Sequence, residues 1–100
     1  METHSMKLVT VICEAFAREP VERLLADAGA HGFTVFGVEG RGEKGVRLGE
    51  MEEFANVQFE VIVPTVVAER LLERIEREFF SRYAMVAYET DIRVVRPQKF

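Results

Sequence analysis

Between residues 40 and 47 the chain reads Gly-Arg-Gly-Glu-Lys-Gly-Val-Arg. Closely spaced glycines let backbone N–H groups turn toward one point, with no Cβ to hold a ligand away. Arg41, Lys44 and Arg47 set three positive charges against the single carboxylate of Glu43, which suits a polyanion such as a di- or triphosphate. A solvated hairpin loop has the same spacing, so the spacing alone leaves both readings open. The segment is not a Walker motif, because it lacks the Gly-Lys-Ser/Thr ending and a following helix. Beyond it, Glu50, Glu52 and Glu53 form an acidic run, either solvated or a tip that meets a partner. Arg93 and Arg96 stand near the end of the chain, on opposite faces if a strand continues through both. One of them could then reach a phosphate while the other meets water.

The remaining reactive side chains assemble no catalytic set. Cys13 lies inside an apolar run and His31 at a helix end, with nothing in the pattern to bring them together. No His, Cys, Asp or Glu spacing matches a metal site. Glu60 could be a buried acid on a sheet face, but a lone carboxylate is no mechanism. The expectation is a protein without enzymatic activity and without a tightly bound cofactor.

The elements around these residues follow from composition and periodicity. One hundred residues, 48% of them apolar, make one compact domain with apolar surface to spare for a subunit interface. A net charge of −4 disfavours a broad nucleic-acid surface while allowing one small basic pocket. A single cysteine fits a reducing cytoplasm, and no apolar stretch reaches membrane-span length. Residues 1–5 read as an N-terminal extension or tag remnant, leaving residues 6–100 as the domain.

Lys7 to Glu14 is apolar on both faces, as in a central strand. Pro20 suits the first position of a helix whose stripe is Val21, Leu24, Leu25 and Ala28, stopped by Gly29 and Gly32. Phe33 to Glu39 alternates as a second strand, and a long loop follows at about 40–55. Asn56 to Val63 forms a third strand, with Val57, Phe59, Val61 and Val63 on one face and Gln58, Glu60 and Ile62 on the other. Thr65 suits the N-cap of a helix striped by Ala68, Leu71, Leu72, Ile75 and Phe79, with Glu73 and Arg77 paired on its wet side. Met85 to Val95 closes the chain as a strand. The order βαββαβ predicts an α+β, ferredoxin-like fold: a four-stranded antiparallel sheet with both helices on one face.

Within that frame the chain resembles the PII and PII-like signal-transduction proteins. The segment from Gly32 to Gly45 is similar to the family's second strand and the base of its T-loop. Asn56-Val57-Gln58-Phe59-Glu60-Val61 resembles the third strand. Phe79-Phe80-Ser81-Arg82-Tyr83-Ala84 resembles the end of the second helix in the branch linked to bicarbonate uptake and carboxysomes. The resemblance implies a cytoplasmic homotrimer with adenine-nucleotide pockets between subunits and a T-loop whose order changes with the ligand. It implies ATP, ADP, AMP or cyclic AMP as effectors, with bicarbonate in the carboxysome-linked branch. It also implies a bicarbonate transporter or carboxysome-associated protein as the T-loop's partner. On this resemblance the nucleotide site comprises Thr34, Gly40, Arg41, Gly42, Lys44, Gly45, Arg47, Glu60, Ala84 and Arg96.

The sequence also departs from the family pattern. The glycine-rich B-loop is missing between the second helix and last strand, which favours ADP or AMP over tight Mg²⁺-assisted ATP binding. The T-loop has no tyrosine to uridylylate. Two other functions fit the topology less well. An RNA-binding domain needs base-stacking aromatics on the open sheet face, whereas Phe59 falls on the core face. A small acylphosphatase-like hydrolase needs an anion-cradling loop after the first strand, where Ala15 to Glu19 has no glycine and only Arg18.

Overall fold

The structure, a computed structural model, describes residues 1–40 and 56–100 in full and the backbone of 41, 42, 45 and 46. Strand β1 runs His4–Glu14, followed by a 3-10 turn at Ala15–Ala17 and helix α1 at Arg18–Ala28. Then come β2 (Thr34–Gly37), the short strands β3 (Arg41–Gly42) and β4 (Gly45–Val46), and β5 (Asn56–Val63). Helix α2 spans Thr65–Glu78, β6 spans Met85–Val94, and a 3-10 turn at Pro97–Lys99 ends the chain. The main sheet has the order β2-β5-β1-β6 and every pairing in it is antiparallel. This is the ferredoxin-like plan expected from the sequence.

Alternation decides which face is dry. Val9, Val11 and Cys13 of β1 and Val57, Phe59, Val61 and Val63 of β5 are buried against Val21, Leu24, Leu25 and Ala28 of α1. Val67, Ala68, Leu71 and Ile75 of α2 and Phe79 beyond it complete the core. Each large apolar side chain buried here contributes about 1.5–3 kcal/mol, so the two helical stripes dock both helices on this face.

Helix α1 stops where the chain adopts a left-handed conformation at Gly29, with φ of 97°. Gly29 N–H donates to the Ala26 carbonyl at 3.2 Å and Ala30 N–H to the Leu25 carbonyl at 3.0 Å, the paired bonds of a Schellman cap. Across the helix pair, the Arg70 guanidinium donates to the Ala28 carbonyl at 2.6 Å. On α2, Arg77 Nη1 meets Glu73 at 3.2 Å, the pairing expected from their spacing.

Several expectations are corrected. Pro20 is the third residue of α1, because a 3-10 turn already starts the coil at Ala15. Pro64 occupies the cap position of α2, so Thr65 is the helix's first residue and makes no capping hydrogen bond. Strand β2 is shorter than Phe33 to Glu39, since it pairs with β5 only from Thr34 to Gly37. The segment read as a loop from residue 40 contains the antiparallel pair β3–β4. Strand β1 starts at His4, which pairs with Val94, three residues before the Lys7 expected from the apolar run.

Candidate functional site

Pairing fixes which candidate residues can meet. One register row crosses the sheet as Gly37, Val57, Cys13 and Met85, and Glu14 pairs with Asn56. Val38 N–H donates to the Asn56 carbonyl at 3.0 Å. The chain therefore leaves β2 toward Gly40 at the same end of the sheet as the turn before β6. Beyond Gly40, Arg41 pairs with Val46 and Gly42 with Gly45. Three strand spacings of about 4.8 Å separate β2 from β6, so Gly37 and Met85 are roughly 14 Å apart across that end.

Ala84 sits at the far corner of this end, where its N–H donates to Glu14 Oε1 at 3.1 Å. Aromatic contacts fix the turn leading to it. Tyr83 stacks at a tilt on Phe79 and on Phe16, with centroids 5.7 and 5.6 Å apart. Asn56 is buried at the root of the segment, and its Oδ1 has no hydrogen-bond partner among the described residues.

Thr34 and Glu60 are direct cross-strand neighbours, in a row that continues through Thr10 to Tyr88. This row lies on the open face of the sheet. Gln58 Nε2 donates to Glu60 Oε2 at 3.2 Å on that face. Phe36, Val86 and Tyr88 also point outward here and are 41%, 44% and 49% exposed. Phe59 is fully buried on the opposite face, as the sequence indicated. The open face nonetheless carries two aromatics, Phe36 and Tyr88, on the outer strands with acidic Glu60 between their positions.

Arg96 is elsewhere. Strand β6 ends at Val94, so the question of opposite faces for Arg93 and Arg96 does not arise. Val94 pairs with His4, at the end of the sheet away from Gly37 and Asn56. The ten residues of β6, at about 3.3 Å each, put roughly 30 Å between its ends. Within one chain Arg96 cannot share an anion with Gly40. Lys44, Arg47 and the side chain of Arg41 lie outside the described residues.

Gly40 has open space where a Cβ would stand, with nothing within 4 Å. No packing among the described residues demands glycine at this position. Sequence reasoning missed Glu14, whose carboxylate meets the Ala84 N–H; its place at the end of an apolar run gave no signal. Among the described residues no group of three His, Cys, Asp or Glu side chains could hold a metal ion. No described helix is long and apolar enough to cross a membrane.

The family model described as nitrogen regulatory protein P-II matches residues 6–99. The chain belongs to the PII family. A PII-like signalling protein of Thermus thermophilus is 32% identical over 99% of this chain and 98% of its own, with a TM-score of 0.84. The PII-like protein CPII of Thiomonas intermedia, in its structure bound to ADP and bicarbonate, is 31% identical. It covers 99% of this chain and 97% of its own, with a TM-score of 0.89. A second CPII structure, bound to ADP, AMP and bicarbonate, is also 31% identical, covering 99% and 96% with the same TM-score. This PII-family chain is thus a regulatory protein of the PII-like kind, on the fold that its own alternation and register build.

Proposed function

We propose that the chain is a cytoplasmic sensor of adenine nucleotides, chiefly ADP and AMP, with bicarbonate as a second effector and no catalysis of its own. The nucleotide binds at a seam between copies in a homotrimer. Gly40, Arg41, Gly42, Lys44, Gly45 and Arg47 wrap its phosphates from one copy, and Arg96 reaches them from the next. Thr34, Glu60 and Ala84 line the same cleft. Ligand binding biases the 40–55 segment between states of different partner affinity, and so signals to a bicarbonate transporter or carboxysome-associated protein.

The observation that carries this reading is the separation of Arg96 from the glycine segment by the full length of β6. A basic residue so placed joins the phosphate group only across a subunit boundary. The ADP, AMP and bicarbonate bound by CPII, at 31% identity over nearly the whole chain, support the choice of ligands. The half-exposed Phe36, Val86 and Tyr88 on the open face support burial against other copies.

Calorimetry with ADP, AMP, ATP and cyclic AMP, each with and without bicarbonate, tests the reading. Saturable binding of ADP or AMP at one site per chain is expected. Indifference to all four would overturn it.

A further inference from the structure

The helix face holds a second cationic feature, behind the sheet end discussed above and on the side opposite the open face. Helices α1 and α2 and the turn after α2 enclose an open groove of about 460 Å³. Four guanidinium groups line it (Arg23 from α1, Arg74 and Arg77 from α2, Arg82 from the turn) against two carboxylates, Asp27 and Glu78. In a chain of net charge −4 this is a local excess of positive charge.

The four arginines are not equivalent. Glu78 binds Arg74 through two hydrogen bonds of 3.0 and 3.1 Å and also accepts from Arg77 at 3.2 Å. Arg77 is further held by Glu73. The charges of those two arginines are met by carboxylates. Arg23 and Arg82 are exposed, and neither lies within ion-pair distance of a carboxylate among the described residues. They come to the groove from two different elements, and Ser81, Tyr83 and Leu24 also line it.

We propose that this groove is a second anion site, separate from the nucleotide seam, which takes a small, multiply charged phosphate. Arg23 and Arg82 supply two charges that no carboxylate within ion-pair distance takes up, against the one unpaired lining carboxylate, Asp27, and their planar forks match phosphate oxygens two at a time. Arg74 and Arg77 also line the groove, with their charges already met by Glu78 and Glu73. A volume of about 460 Å³ is in the range of small-molecule sites, which favours a free phosphate compound over a protein segment. The site gives a regulator of this kind a second input, read between the helices while the first is read at the seam between copies.

Inorganic pyrophosphate is the probe. Titrated into the full chain at fixed ionic strength, it is expected to bind saturably. Arg23→Gln with Arg82→Gln should weaken that binding by about tenfold or more, the loss of one to two charged hydrogen bonds, while ADP affinity stays unchanged. Amide shifts in the wild-type chain, which need no variant, should concentrate in residues 20–27 and 74–83. Non-saturable binding, an unaltered affinity in the double variant, or shifts confined to residues 34–38, 56–60 and 84–88 would overturn the proposal. Parallel loss of ADP binding would overturn it too, by making the groove part of the nucleotide seam.

Discussion

The carboxylate of Glu14, at the end of β1, accepts a hydrogen bond from the Ala84 backbone N–H at 3.1 Å. The contact ties the central strand to the turn before β6, 70 residues later in the chain. Glu14→Ala removes the acceptor and is expected to cost about 1 kcal/mol. A urea titration checks this: the midpoint should fall without a change in slope.

Two glycines should respond in opposite ways. Gly29→Ala puts a Cβ on a left-handed residue, which costs roughly 1–2 kcal/mol. Gly40→Ala meets open space among the described residues and should leave stability within about 0.5 kcal/mol of wild type. If a ligand packs on the root of the 40–47 segment, however, the same methyl should weaken ADP binding by about tenfold, or about 1.4 kcal/mol. Unchanged ADP affinity in Gly40→Ala would remove Gly40 from the site.

Charge pairs on the surface shape the pH dependence of stability. Hydrogen bonds from Arg74, and secondarily from Arg77, hold Glu78 below the ordinary glutamate value of 4.5. A depressed folded-state value contributes stability above pH 4.5 that is lost as the pH falls through it. Lys7 is raised above 10.5 by its hydrogen bonds to Asp91 and Glu89, so its contribution is present below that pH and lost at more alkaline values. Thermal midpoints across pH should show a shallower acid limb for Glu78→Gln and a shallower alkaline limb for Lys7→Met. Both effects should shrink in high salt, because these pairs lie at the surface and are partly open to solvent.

Arg96→Ala, Lys44→Ala and Arg47→Ala should each lower ADP affinity by about tenfold or more, the usual scale for a lost charge-assisted hydrogen bond. The ligand-free thermal midpoint should hardly move for Arg96→Ala, since that side chain is exposed. Three variants that bind ADP like wild type would show that the phosphates lie elsewhere.

The fold could be read closely from the chain because its signals are periodic. The alternation Val57, Phe59, Val61, Val63 and the stripe Ala68, Leu71, Ile75 each bury one face, and no competing pattern exists. Errors fell where the signal was a single residue. Pro20 marks a helix's first turn without saying which position in it, and Thr65 offered a hydroxyl where the chain used Pro64 as the cap. The site was readable as residue types, but its arrangement was not. Nothing in the spacing of Gly40 and Arg96 reveals that one sheet holds them at opposite ends, because that depends on the register of β6 against β1. The groove arginines went unnoticed for a related reason: Arg23 and Arg82 are brought together only by the packing of α1 on α2.

The most direct test of the two-copy site uses subunits that are each defective in a different half. Arg47→Ala and Arg96→Ala proteins are unfolded together, refolded as a mixture and titrated with ADP. The two-copy account predicts that neither variant alone binds at wild-type affinity. In the mixture, about a quarter of the seams should regain tight binding, since random assembly gives that share both arginines. A mixture no better than its components would contradict it.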